Sequence, residues 1–404
     1  MDKDKIQLFS RREIELGFLN VGHALDHFVI LIYPTVIIAL QGAYGRSYAD
    51  LIFLGTASFT AFGLFSLPAG WLGDRWSRRN MMAVFYVGSG LSLIAAALAP
   101  TLPLLAVALF ALGIFASIYH PVGTALVLER ATQRGRTMAF NAIAGNLGLA
   151  LAAGVSAVLT AVVSWRAAFM LPGFVCIVAG AGYLYFIPED AKRATSRSAT
   201  PEIGLSGTAA VGIFALLMFV ALCAGLVVNS VILSVPKIVD ERVMGHIPLI
   251  AVGGLATAIF LCGALAQIAV GRLAERIRPH ILFVLIAILQ FGGVVGAVYA
   301  RGIAEIVALA VTMAAILAQV TVNDLVIARY TPDAWRARAY AVRYCLTFLV
   351  SGVSAWMIAY LYSYGGFAVV LGVIAVIALC FLIAVLGVAV LAEGGENSLA
   401  KVAR

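Results

Sequence analysis

The chain has 404 residues, 63% of them hydrophobic and 11% charged, and its mean hydropathy is +1.04. A soluble globular domain is about one-quarter charged, so this chain has too little polar surface to coat itself in water, and lipid must be its solvent. The net charge of +8 in a membrane chain sets topology rather than binding nucleic acid, which excludes a nucleic-acid partner.

The N-terminus, MDKDKIQLFSRREIELGF, is charged and leads into an apolar run too long for a signal-peptide core. That run is expected to stay as a spanning helix. Apolar segments follow one another at 14–40, 46–70, 80–99, 104–128, 137–162 and 167–187. After a gap they resume at 208–235, 248–270, 280–299, 303–327, 337–363 and 366–391. Each reaches the roughly 20 residues that cross a ~30 Å hydrocarbon core. With a cytoplasmic N-terminus, 21 of the 27 Lys and Arg fall on inner segments. Five fall outside (Arg46, Arg166, Lys237, Arg242 and Arg301), and Arg343 lies within a helix. A missed helix would scramble this asymmetry, so the positive-inside rule supports twelve spans with both termini in the cytoplasm.

The first helix reads LNVGHALDHFVILIYPTV. His23 and His27 are four residues apart and share a face, with Asp26 within about 100° of it. The cluster is expected near mid-membrane, where ionisable groups are costly and normally face a cavity or a partner. Histidine and a carboxylate there suit proton uptake and release. A cluster that merely packs helices is the bland alternative. The loop after the second helix, GWLGDRWSRRN, joins a helix-ending glycine, Gly70, to Asp74, Arg75, Arg78 and Arg79. Asp74 there can latch onto an arginine or a helix N-terminus and close the inner side; a plain topology signal is the competing reading. The fourth helix carries His120 before Pro121, which removes a backbone donor and bends the helix.

Pro188–Gly204, PEDAKRATSRSATPEIG, is an exposed linker by composition. It divides the chain into expected domains at 1–187 and 205–404. The halves echo each other at an offset of about 201 residues, as an ancestral duplication does. Pro34 matches Pro236, Gly70–Arg75 matches Gly271–Arg276 with Glu275 in place of Asp74, and Arg136 matches Arg338. Asn229 is the counterpart of His27 and, with Ser230 and Ser234, makes the seventh helix polar. Gln319, Thr321, Asn323 and Asp324 do the same for the tenth. Asp324 and Arg343 are expected at similar depth, either as a static pair or with Arg343 presenting positive charge to an anionic substrate. Pro34, Pro121 and Pro236 are kinks or hinges. The five cysteines, at 176, 223, 262, 345 and 380, lie in apolar runs without CxxC spacing and suggest neither disulfides nor a thiolate site.

The loop at Gly70–Asn80 resembles the loop 2–3 motif of the major facilitator superfamily, and Gly271–Arg276 stands where that fold repeats it. The resemblance implies an all-α membrane protein with twelve transmembrane helices in two pseudo-symmetric six-helix bundles that rock between inward- and outward-open states. A narrower likeness rests on Gly22, His23, Asp26 and Pro34, on HPVG at 120–123, on RGR at 134–136, on GNLG at 145–148 and on WRAAFMLPG at 165–173. It resembles the fosmidomycin-resistance branch of bacterial drug exporters.

The expected function is therefore secondary active transport by alternating access, in a bacterial inner membrane, as a monomer. Proton-coupled efflux of a small organic molecule is the preferred form. His23, Asp26, His27 and His120, with Asn229, Asp324 and Arg343, are the candidates for substrate contact and proton coupling. Gly70, Asp74, Arg75, Arg78, Gly271, Glu275 and Arg276 are the candidates for gating. The alternative cargo is a divalent transition metal held by His23, Asp26, His27 and His120, since imidazole and carboxylate suit such ions. A channel or receptor fits the duplicated halves less well. No GxxxxGK[ST] appears, so a gradient supplies the energy, and HALDH is not HExxH. Neither an enzyme activity nor a cofactor is expected; the partners are a small-molecule substrate, protons and the lipid bilayer.

Overall fold

The computed structural model describes residues 10–188, 208–243, 247–330 and 333–402. The expected linker at 188–204 lies outside the described residues, apart from Pro188 at its edge. Among the described residues there are helices and turns and no strand. In chain order the helices are α1 (Arg11–Ile30), α2 (Ile32–Tyr44), α3 (Tyr48–Arg75), α4 (Arg78–Leu98) and α5 (Leu102–Ala116). A π-helical turn (Tyr119–Gly123) leads into α6 (Thr124–Arg130), α7 (Arg134–Val162) and α8 (Trp165–Phe186). The second half contributes α9 (Thr208–Arg242), α10 (Leu249–Leu273), α11 (Pro279–Tyr299), α12 (Ile303–Tyr330) and α13 (Asp333–Val402).

Among the described residues, eleven continuous stretches are long and apolar enough to cross a membrane. The last, Leu346–Ala392, has 47 residues, about 70 Å of helix at 1.5 Å per residue. It is broken at Gly365 and Gly366, so it makes two passes. Gly366 has φ 59° and ψ −155°, a conformation that only glycine adopts without strain. Large apolar side chains such as Leu98, Val107, Val178, Leu265 and Val390 are exposed along these stretches, as lipid-facing positions are.

Local chemistry sets the ends. Ser10 caps α1 in a reciprocal box: its hydroxyl accepts from Glu13 N, and Ser10 N donates to Glu13 Oε2 at 2.7 Å. Ser77 and Ser164 cap α4 and α8. Pro34 cannot donate to the Ile30 carbonyl, and the first span breaks at Leu31, whose N–H turns back to Phe28 O at 3.2 Å. Pro236 lies inside unbroken α9. That helix was expected to end near 235 but runs on to Arg242. Lys237 reaches Asp240 at 2.6 Å and Glu241 at 3.4 Å, and these one-turn pairs support the extra turns.

The chain divides by contact into two compact units, Met1–Gly45 with Leu54–Thr195, and Arg46–Phe53 with Ser196–Arg404. In the first unit α1 packs on α7, and α4 on α8 and α5. Its core joins Leu19, Met82, Phe85, Tyr86, Tyr119 and Tyr183. In the second, α9 packs on α13, and α12 on α10 and α11, around Phe283, Val322 and Phe381. Residues 46–53 belong to the second unit through Tyr48, whose ring lies 4.8 Å from that of Tyr362 and 5.7 Å from that of Phe367.

Candidate functional site

In the first unit, α1 and the π-turn bring four polar side chains together. His23 and His27 stand one turn apart on α1, with ring centroids 5.0 Å apart. His120 meets both edge-on at 5.4 Å. One ring nitrogen from each of the three lies within 4.8 Å of the other two. Asp26 is wholly buried. Its Oδ2 is 3.3 Å from His120 Nε2, without the alignment of a hydrogen bond. The expected four-ligand set is thus a triangle of imidazoles with the carboxylate behind one of them.

The π-turn sets His120. A proline at 121 has no N–H to give and its ring crowds the preceding turn. The backbone widens locally, as π-bulges do, frequently at functional sites. Tyr119, on the same turn, stacks on His23 at 4.8 Å and donates its hydroxyl to Leu19 O at 2.8 Å.

Behind the cluster stands α7, with Asn141, which the sequence did not single out, and the glycines of the GNLG motif. The carbonyl of Asn141 lies 2.7 Å from His23 Nδ1 and accepts its proton. The Asn141 amide donates to Asn20 Oδ1 at 3.0 Å and to Tyr119 Oη at 2.9 Å. His23 Nε2 is consequently the nitrogen without a proton, buried and without a hydrogen-bond partner among the described residues. Gly145 makes room for that ring, since a Cβ there would lie 2.7 Å from His23 Cε1 and Nε2. At Gly148 a Cβ would lie 1.9 Å from the Ala24 carbonyl oxygen, so α1 and α7 touch backbone to backbone.

Gly70, expected to end its helix, lies inside α3, which runs on to Arg75, and Asp74 in its last turn accepts from Arg78 Nη2 at 2.7 Å and from Arg78 Nε at 3.2 Å. The other arm of Arg78 grips Glu129 of α6. Arg75 lies over the Trp71 ring at 4.5 Å. Gly70 and Gly73 seat against Pro121 and Val122, with virtual Cβ contacts of 3.1 and 2.8 Å. The charged loop therefore abuts the π-turn that carries His120. Nearby, buried Glu15 pairs with Arg130 at 2.8 Å, and Arg12 donates to Arg130 O at 2.5 Å. In the second unit the matching segment is looser. Gly271 faces open space, and Glu275 and Arg276 form no ion pair among the described residues.

Elsewhere in the second unit, Asp324 Oδ1 meets Arg343 Nη2 at 2.7 Å. The Asn229 amide is spent on backbone, donating to Gly225 O at 2.8 Å and to Thr347 O at 3.3 Å, which ties α9 to α13. Gly225 faces Thr347 and Val350, which a Cβ would meet at 3.3 and 2.7 Å. Gln267 donates to Thr321 Oγ1 at 3.1 Å. No imidazole cluster forms in this unit among the described residues.

No curated protein matches the chain in sequence. Solved structures match over nearly its whole length. A bacterial homologue of the human lysosomal transporter Spinster, in its inward-facing unoccupied conformation, has a TM-score of 0.71 at 14% identity, covering 97% of this chain and 95% of that one. The same homologue in its occupied conformation gives 0.72 at 13% identity, with 94% of each chain covered. A D-xylose–proton symporter gives 0.71 at 14% identity, covering 92% and 96%. At such identities the likeness shows the fold alone, that of multi-pass helical transporters. The family model of the Major Facilitator Superfamily matches residues 18–330, and the chain belongs to that superfamily of membrane transporters.

Proposed function

We propose that the chain is a proton-coupled secondary carrier working by alternating access, with its coupling centre at His23, Asp26, His27 and His120. The observation that carries this is Asp26, wholly buried in a membrane span with an imidazole nitrogen of His120 3.3 Å from its carboxylate. A lone carboxylate anion is costly at such a place. A carboxylate so placed needs a proton or a cation beside it, and exchanging one for the other can couple a gradient to a change in access. The second unit supports the choice of the first, because its acids Glu305, which is buried, and Asp324, which is half-buried, each face a guanidinium, Arg242 at 3.5 Å and Arg343 at 2.7 Å. The Asp74–Arg78–Glu129 chain is the inner gate, with Gly70 and Gly73 transmitting its movement to the π-turn.

The distribution of Lys and Arg supports both termini in the cytoplasm, and the likeness to bacterial exporters supports a bacterial inner membrane. The likeness to the fosmidomycin-resistance exporters supports outward movement of a small solute against protons.

Everted vesicles energised by respiration test the reading. A pH-sensitive dye follows proton release as organic cations, antibiotics and divalent metal salts are added in turn. At least one class is expected to release protons with the wild type. Asp26→Asn is expected to reduce that response to background while its melting temperature stays within a few degrees. Wild-type proton release by Asp26→Asn would remove the cluster from the coupling step.

A further inference from the structure

We propose that the three histidines form the binding site for a divalent first-row transition-metal ion and that such an ion is the cargo. This rests on the reading of the cluster as the transport site, and it replaces the organic cargo with an inorganic one. The first support is convergence. One nitrogen each from His23, His27 and His120 lies within 4.8 Å of the others, on two separate stretches of chain. A tetrahedral ion with metal–nitrogen bonds of ~2.0–2.1 Å places its ligand nitrogens roughly 3.3 Å apart. The rings must therefore draw in by about an ångström, within reach of side-chain rotation at His23 and His27 and of the widened turn at His120.

The second support lies behind the rings. Imidazoles that bind metal turn their other nitrogen toward a carbonyl or a carboxylate. His23 does so with Asn141 O, at 2.7 Å, and Asp26 stands beside the set as a carboxylate 3.3 Å from His120 Nε2. The first contact fixes the tautomer of His23 and leaves Nε2 as a lone-pair donor inside the cluster, buried and without a hydrogen-bond partner among the described residues. Packing alone leaves that atom unsatisfied; a cation accounts for it.

The donor set indicates the ion. Neutral nitrogen ligands favour iron, cobalt, nickel, copper or zinc over magnesium and calcium, which take oxygen. Asp26 offsets part of the ion's charge without completing its shell. Three protein ligands leave a fourth position for water, the pattern of an exchangeable site rather than a closed structural one. An ion that must be released again suits such a site.

Cobalt(II) and zinc(II) are the probes, on the full-length protein in detergent. Equilibrium dialysis is expected to retain one cobalt per chain, with visible bands of nitrogen ligation. His23→Ala and His120→Ala are expected to lose both, and His280→Ala, in α11, to keep them. Cobalt absent from the wild type, or held equally by all variants, overturns the metal site. Cobalt binding without zinc flux in proteoliposomes overturns the cargo assignment. A separate readout isolates the underlying reading: His27→Cys on a background lacking the five native cysteines, challenged with an impermeant thiol reagent from each face of a vesicle. Modification from both faces together with no cobalt binding sinks the metal and keeps the transport site. No modification from either face sinks both.

Discussion

At the scale of single residues, the first unit separates chemistry from support. His23, Asp26, His27 and His120 stood out in the sequence because ionisable groups in an apolar helix are anomalous. Asn141 and Gly145 did not, because their roles exist only across a helix–helix contact. Asn141 is one of two amides in a helix of apolar and small residues, and its value lies in a carbonyl that every residue has. Gly145 and Gly148 were legible as a motif but not as two different contacts, one against an imidazole and one against a backbone oxygen. That difference is testable. Gly145→Ala is expected to push the His23 ring out of place, removing cobalt binding and proton release with little change in melting temperature. Gly148→Ala drives a methyl group into the Ala24 carbonyl, an overpacking that costs about 1–3 kcal/mol or more, and is expected to lower the melting temperature clearly. Equal behaviour of the two variants in both assays would refute the distinction.

At the scale of elements, the spans were readable because a membrane imposes a length and an apolar composition together. Their interiors were less so. A proline signals that a hydrogen bond is lost but not how the chain responds. Pro34 breaks the first span at Leu31, Pro121 sits in a π-turn, and Pro236 stays inside a continuous helix. The break after α13's first pass is different, because a left-handed glycine makes it. Gly366→Ala forces a β-carbon into that conformation and costs about 1–3 kcal/mol. The expected result is a lower melting temperature and reduced yield in membranes, whereas Gly372→Ala, where a β-carbon meets open space, is expected to behave as wild type. A Gly366→Ala protein as stable as wild type would mean that the last two passes tolerate another connection.

At the scale of the whole molecule, the duplicated halves have diverged in use. The charged motif at the end of α3 is paired in the first, where Arg78 bridges Asp74 and Glu129, and its second copy is unpaired at Glu275 and Arg276 among the described residues. Asp74→Asn is expected to weaken the hold on Arg78 and raise the rate at which an inner-face cysteine is labelled; unchanged labelling would leave the loop as a topology signal only. The same divergence is visible at the crossing of the first and fifth helices of each half. The register that pairs Pro34 with Pro236 also pairs His23 with Gly225 and Gly145 with Thr347. In one half the bulk comes from α1 and the hollow from α7; in the other the bulk comes from α13 and the hollow from α9. Knob and socket have traded sides across the duplication. Neither exchange is tolerable singly, since a histidine at 225 would strike Thr347 and a glycine at 347 alone would leave a void. The two halves therefore cannot drift back toward each other one substitution at a time, and the asymmetry that leaves an imidazole cluster in the first half alone, among the described residues, is locked in by packing.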